Sequence, residues 1–255
     1  MSSSVNEKKT KGSFKSFKLY VAVRTGRAIK RIVGKNTTLP IVAGRLKGKK
    51  WIVGGGITQV LGRWQEKYTD KFAESIYPSS VVYDVGANAG WYTLLASELA
   101  DPRGKVVAFE PLPSALRILK GNVKINHCTN VQIVEAAVSD SEGTATFFSV
   151  ADSTLGSLSS LYGPAPNTTT VKTVKIDSLV KKEIIPAPDV VKMDIERGEL
   201  AALKGAASTL VEPAPMIFLA THGFDMYVDC CRLLTSLGYA VERVHGSDYM
   251  VAHKV

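Results

Sequence analysis

Carboxylates, glycines and a histidine stand in this chain at spacings that suit a nucleotide-type cofactor beside a site of proton transfer. The apolar run Val81-Val82-Tyr83-Asp84-Val85 leads directly into Gly86-Ala87-Asn88-Ala89-Gly90 and then into a helical stretch. Glycines at such a turn let the backbone approach a ligand, and the start of the helix offers unpaired N–H groups and a positive end. A glycine-rich turn alone is weak evidence, and the dinucleotide form would read Gly-x-Gly-x-x-Gly. Here the spacing is Gly86-x-Asn88-x-Gly90, with Asp84 just before it. An acid beside the loop suits a cofactor with a cationic amino acid end and would repel a pyrophosphate. The expected cofactor contacts in this loop are Asp84, Gly86, Ala87, Asn88 and Gly90.

The next apolar run ends in Phe109-Glu110-Pro111, which places a carboxylate 26 residues after Asp84. At the carboxyl edge of a neighbouring strand it can accept both hydroxyl protons of a ribose; the bland alternative is that Glu110 caps the following helix. Ala136-Ala137-Val138 ends the third run, and Ala137 and Val138 are expected to wall an adenine pocket unless they are plain core. Further on, Lys192, Asp194 and His222 stand at or near the ends of two more apolar runs. A lysine inside a buried strand needs a partner, and Glu196 or Glu199 is the expected one.

The elements that must position these residues can be read from periodicity. After Pro78, short β-branched runs alternate with helical stretches, the pattern of a mostly parallel, doubly wound sheet. Strands are expected over 81–85, 105–109, 131–138, 190–195 and 216–221, and helices over 91–100, 114–126, 199–210 and 226–237. Residues 140–188 interrupt the alternation with two strand-like segments, 144–150 and 170–176, around a Ser/Gly/Pro-rich stretch, and are expected to form an inserted hairpin. The runs 240–244 and 249–253 are joined by a four-residue link and should be antiparallel neighbours. By fold analogy, this is an α/β, Rossmann-like, seven-stranded methyltransferase sheet, mostly parallel with a terminal antiparallel hairpin and helices on both faces.

The charge is uneven. Of a net +9, residues 1–50 carry 14 basic side chains against Glu7 alone, so the remainder of the chain is acidic overall. The chain therefore divides into a basic, partly disordered arm (1–38), a glycine-punctuated cap segment (39–78) with a helix over 65–75, and a catalytic domain (79–255). Basic and apolar residues at helical spacing over 13–33 read either as a surface helix packed on the body or as peripheral contact with an acidic membrane surface; nucleic acid is the less favoured partner. No apolar run approaches the roughly 20 residues that span a bilayer, and no cleavable leader pattern is seen. Three cysteines without metal-ligand spacing imply neither disulfides nor zinc, and a reducing cytoplasm is the simplest setting.

Several strings together make the chain resemble the FkbM-type methyltransferases. They are Tyr83-Asp84-Val85-Gly86-Ala87-Asn88-Ala89-Gly90-Trp91-Tyr92, Val107-Ala108-Phe109-Glu110-Pro111, Asn122 and Asn126, Ala137-Val138-Ser139-Asp140, and Lys192-Met193-Asp194-Ile195-Glu196 leading to Glu199. Gly62-Arg63-Trp64-Gln65 adds a weaker upstream match, and the likeness covers roughly residues 60–222. The resemblance implies S-adenosylmethionine as cofactor and O-methylation of a small-molecule hydroxyl, on a sugar or a natural product. Two departures stand out. The family's Glu-Gly-x-Glu reads Glu196-Arg197-Gly198-Glu199 here, and its Glu-x-His reads Ala220-Thr221-His222.

Methyl transfer to a hydroxyl is an in-line displacement that also requires removal of the hydroxyl proton. His222 is the expected base, Asp194 orients it or the hydroxyl, and Lys192 is the third candidate in the catalytic set. No required metal is expected, because Ala220 and Thr221 supply no ligands at the fifth strand end. Two other functions compete: a non-catalytic methyltransferase-like binding domain, favoured by the two departures, and a nucleic-acid methyltransferase guided by the basic arm. A nicotinamide dehydrogenase is the least favoured reading, since the loop spacing departs from the dinucleotide form.

Overall fold

The structure, a computed structural model, describes residues 34–62, 66–149, 156–157, 167–244 and 249–255. The expected basic helix over 13–33, the three residues after Gly62, most of the Ser/Gly/Pro-rich stretch and the 245–248 link lie outside the described residues. The chain divides into two compact units, residues 1–63 and 64–255. In the first, β1 (Thr38–Pro40) pairs antiparallel with β2 (Lys50–Ile52), followed by a short 3-10 turn and α1 (Ile57–Val60). Buried Trp51 fixes this unit by donating its indole N–H to the carbonyl of Gly56 at 2.9 Å.

The second unit begins with α2 (Glu66–Glu74) and continues through β3 (Val81–Val85), α3 (Trp91–Leu99), β4 (Lys105–Phe109), α4 (Pro113–Ile125) and β5 (Val131–Val134). Next come β6 (Ala137–Val138), β7 (Gly143–Ser149), β8 (Gly156–Ser157), β9 (Asn167–Val174) and α5 (Ile176–Lys181). It closes with β10 (Val190–Met193), α6 (Glu199–Lys204), α7 (Ala207–Val211), β11 (Met216–Ala220), α8 (Phe224–Ser236), β12 (Tyr239–Arg243) and β13 (Tyr249–Lys254). The main sheet has seven strands in the order β12-β13-β11-β10-β3-β4-β5. β11, β10, β3, β4 and β5 run parallel, while β13 is antiparallel to both β11 and β12. The expected terminal hairpin pairing is therefore present.

The continuous apolar runs follow from burial on both faces. Along β4, Val107 and Phe109 join one core cluster with Leu203, Leu210 and Leu234 from the helices α6, α7 and α8. The residue between them, Ala108, packs instead against Leu116 and Leu119 of α4. Helices thus cover both sides of the sheet.

Three expectations are corrected. The run 131–138 is not one strand: β5 ends at Val134, and β6 leaves the main sheet to pair in parallel with β9 in a second sheet ordered β6-β9-β7-β8. The inserted segment holds the expected antiparallel pair, β7 with β9, but also the helix α5, anchored by the Asp177 carboxylate accepting hydrogen bonds from the Thr209 hydroxyl and from the backbone N–H groups of Ser208 and Thr209. The helix expected over 199–210 breaks into α6 and α7 at Gly205, where a Cβ would stand 2.0 Å from the carbonyl oxygen of Ser139. That close approach needs the glycine, and it interrupts an otherwise helical pattern.

Candidate active site

Asp84, Glu110, Asp194 and His222 stand at the carboxyl ends of the neighbouring strands β3, β4, β10 and β11. This is the edge at which open α/β sheets bind ligands. A groove of about 370 Å³ lined by Ser80, Asp189, Val190 and Met216 lies at the opposite, amino-terminal edge.

Asp84 is fully buried and accepts a hydrogen bond of 2.6 Å from the Thr93 hydroxyl of α3. Its other oxygen lies 3.2 Å from the ammonium of Lys192. Lys192 therefore does not pair with Glu196 or Glu199 as the sequence led us to expect. In the parallel register of β10 on β3, Lys192 lies directly beside Asp84, and a cross-strand neighbour wins over residues further along the chain. The ammonium also donates to the carbonyl of Gly86 at 3.1 Å and sits 5.2 Å from the centre of the Tyr92 ring. Its contacts bind loop to sheet rather than joining the Asp194–His222 group.

The loop glycine Gly86 has φ +78°, and a Cβ there would lie 2.1 Å from the carbonyl oxygen of Asp194. Its bare Cα lets the end of β10 cross the loop, rather than clearing ground for a ligand. Gly90 begins α3 with φ +94°, and its missing Cβ makes room for Leu119. Ala87 packs in the α4 cluster, and the Asn122 amide donates to the carbonyl of Ala89 at 2.8 Å, so the loop is fixed from beneath. Asn88 takes a left-handed φ of +50° and turns its N–H toward Glu110.

Glu110 is buried, and each of its oxygens accepts one backbone N–H, from Asn88 and from Leu112, both at 2.8 Å. Leu112 is the N-cap of α4, so the capping role is real, yet each oxygen keeps a further lone pair. Burial pushes the carboxyl pKa up to about 7, against the pull of those two N–H groups and of Lys192. Ala137 and Val138 are placed in apolar clusters, Ala137 with Leu112, Ala115, Phe147 and Val171, and Val138 in the main core. Of the two readings left open for them, the packing one describes their contacts.

His222 is the centre of the second group. Its Nδ1 is 2.6 Å from Glu199 Oε1, while Nε2 faces Asp194 Oδ1 at 3.5 Å and Glu196 Oε2 at 3.4 Å. Burial alone would lower the imidazole pKa, but the bond to Glu199 and the charges of Glu196, Glu199 and Asp194 outweigh it and hold the value above the ordinary one. An imidazole so surrounded keeps its proton to higher pH than a free one, so His222 is not a lone base. Glu199 is fully buried, accepts the Arg197 N–H at 3.1 Å and, among the described residues, leaves Oε2 with no hydrogen-bond partner. The sequence led us to expect Glu196 or Glu199 beside Lys192 and did not reveal their convergence on His222. It also missed Thr93 and the buried hydroxyl of Tyr68, whose pKa is raised by burial and by neighbours that include Tyr92 and Asp194. The nine-residue step from Asp84 into the next helix was the available signal for Thr93.

The turn that carries Glu196 is strained. Glu196 and Arg197 take φ values of +56° and +74°, whereas Gly198 sits at −96°, a conformation open to any residue. The displaced glycine is thus one position away from where the backbone calls for it. Arg197 is tied to Asp225 at 2.8 Å, but Asp225 is mostly exposed and the pair adds little. Arg197→Gly is therefore expected to stabilise the fold by about 1 kcal/mol, since a non-glycine residue in this region costs about 1–2 kcal/mol. A thermal melt should rise by about 2–4 °C; a fall would mean that the Arg197–Asp225 pair outweighs the strain.

Residues 84–241 match the family model described as "Methyltransferase FkbM domain". Hexuronic acid methyltransferase AglP of Haloferax volcanii is 31% identical over 169 residues, covering 66% of this chain and 67% of that protein. The 31-O-demethyl-FK506 methyltransferase FkbM of Streptomyces tacrolimicus is 35% identical over 107 residues, and the match spans only 40% of each chain. In three dimensions, a solved methyltransferase FkbM from Methylobacillus flagellatus superposes with a TM-score of 0.53 at 17% identity, covering 72% of this chain and half (50%) of that one. At that identity the likeness concerns the fold alone.

Proposed function

The chain belongs to the FkbM methyltransferase family, and from that premise we propose that it uses S-adenosylmethionine to O-methylate a hydroxyl of a small polar acceptor, a sugar or sugar-like molecule. The observation that carries the cofactor assignment is Glu110: a buried carboxylate at the end of β4, held by one N–H on each oxygen and with a free lone pair on each. Two vicinal ribose hydroxyls supply two matching donors. The loop from Gly86 to Gly90 and the start of α3 would face the amino acid end, with Asp84 kept in place by Lys192 and Thr93.

The cofactor would supply an electrophilic methyl group and a neutral leaving sulfur. The chain must hold the acceptor oxygen in line with that methyl and take the hydroxyl proton. Asp194 Oδ1, Glu196 Oε2 and His222 Nε2 converge one strand away from the loop, and proton removal falls to them as a group. Two residues after His222, Phe224 is 79% exposed and its ring centre lies 6.4 Å from that of Tyr227 in a stacked arrangement. An open aromatic face next to polar groups suits the apolar face of a sugar ring. The relative AglP, named for hexuronic acid, supports the same class.

The test is transfer of a labelled methyl from S-adenosylmethionine across a panel of uronic acids, neutral sugars and hydroxylated natural products. Transfer abolished in Asp194→Asn bears the reading out. Cofactor binding without transfer to any acceptor would favour a binding domain, consistent with Ala220 standing where the family carries an acid. No binding by folded protein would overturn the cofactor assignment.

Cofactor affinity should also depend on pH with a definite sign. Glu110, with a pKa near 7 against an unfolded value of 4.5, favours the fold below about pH 4.5 and gives up that contribution as pH rises through 7. Two ribose hydroxyls donating to both oxygens, each already accepting one N–H, favour the charged form, so binding releases the Glu110 proton. Affinity is expected to fall below about pH 7, by up to about tenfold per pH unit, and to level off above it. Calorimetry in buffers of different ionisation enthalpy reads the released proton directly; a flat profile would remove Glu110 from the ribose site.

A further inference from the structure

We infer that Asp194, Glu196 and His222 form a binding site for a divalent transition-metal ion. One ligand atom from each of Asp194, Glu196 and His222 lies within 4.8 Å of the other two, and His222 Nε2 is 3.5 Å from Asp194 Oδ1 and 3.4 Å from Glu196 Oε2. Donors bound at about 2.1 Å around one ion are about 3.0–3.4 Å apart, so this group stands close to the edge lengths of a coordination polyhedron.

The orientation of the histidine is the second, independent observation. A carboxylate accepts, so the hydrogen on the Glu199 side belongs to Nδ1, 2.6 Å away, and Nε2 is the nitrogen turned toward Asp194 and Glu196, where an incoming cation would displace its proton and take the lone pair. Metal-bound histidines are typically fixed in this way, by a carboxylate on the far nitrogen. Glu199 is itself buried, and among the described residues its Oε2 has no hydrogen-bond partner. Among the described residues, Lys192 lies against Asp84 and Arg197 against Asp225. The strained turn at Glu196 and Arg197 sits at the same place, and strain of this kind concentrates at ligand sites.

The three side chains are about a quarter exposed, so an ion could enter and would keep open coordination positions. Two carboxylates and an imidazole suit manganese, iron, cobalt or zinc better than magnesium or calcium, which favour all-oxygen sites. In the proposed reaction the ion would orient the acceptor hydroxyl and ease loss of its proton. That role rests on the methyl-transfer reading; the binding of the ion does not.

The experiment is titration of Mn2+ into the chelator-treated full-length protein, without cofactor or acceptor, followed by the paramagnetic resonance signal of free Mn2+. One saturable site is expected, lost in Asp194→Asn and His222→Gln, weakened about 10–100-fold in Glu199→Gln, and unchanged in Glu142→Gln, a control on the inserted sheet. Because His222→Gln could unfold the protein, the wild type gives a second readout: Mn2+ or Zn2+ should protect His222, mapped by peptide, from acylation by diethylpyrocarbonate. Absence of saturable binding, binding that persists in the folded Asp194→Asn variant, or binding that leaves His222 unprotected overturns the inference. Ion binding in a protein that transfers no methyl group would leave the site standing and remove only its catalytic role.

Discussion

Replacing Lys192 with methionine is expected to destabilise the protein by about 3–5 kcal/mol, the usual cost of leaving a buried charge without its partner. Asp84 is fully buried, the Lys192 side chain is only 4% exposed, and 3.2 Å separates their charged atoms. The substitution would strand the Asp84 carboxylate on a single hydroxyl, that of Thr93. It would also free the Gly86 carbonyl and so loosen the loop. Denaturant unfolding of Lys192→Met beside the double variant Asp84→Leu/Lys192→Met checks the cause: the double variant should recover part of the loss, since replacing a whole buried pair with apolar side chains is often tolerated. A single-variant loss below about 1 kcal/mol would mean that water reaches the pair.

Glu110→Ala is expected to weaken binding of S-adenosylhomocysteine by about 10²–10⁴-fold. Two hydrogen bonds to a charged acceptor are lost, each contributing about 1.5–3 kcal/mol, and the N–H groups of Asn88 and Leu112 lose their anchor. Calorimetric titration of wild type and variant reads this loss. Glu110→Gln separates charge from shape: it keeps the volume and one acceptor, and should fall between the two. An unchanged affinity in Glu110→Ala would move the ribose elsewhere. The comparison is cleaner than one at Asp84, where any substitution also breaks the buried pair with Lys192 and confounds binding with stability.

Both predictions concern residues that the sequence singled out, but it specified their relationships unequally. The loop after β3 and the acid after β4 are local features. A β-branched run, a glycine turn and a helix start follow one another along the chain, so near neighbours determine them, and the structure has each within a residue or two of its expected place. The parallel sheet followed from the same alternation, because strands covered on both faces must be apolar throughout.

What the sequence left undetermined was every relationship that depends on which strand lies beside which, and at what register. Lys192 found Asp84 because β10 pairs with β3 across 108 positions of sequence, a neighbour that no spacing rule supplies. Ala137 and Val138 turned from the main sheet into a second one because β9 was there to receive them. Glu196 and Glu199 met His222 only after a left-handed turn reversed the chain beyond β10 and brought it to the end of β11. The sequence by itself determined most of the elements and the glycine turn between β3 and α3, since periodicity and turn chemistry act over a few residues. The tertiary structure alone decided the buried ion pair and the carboxylate–histidine group, since Coulombic and hydrogen-bond partners are chosen by distance in space, which sheet order and register fix.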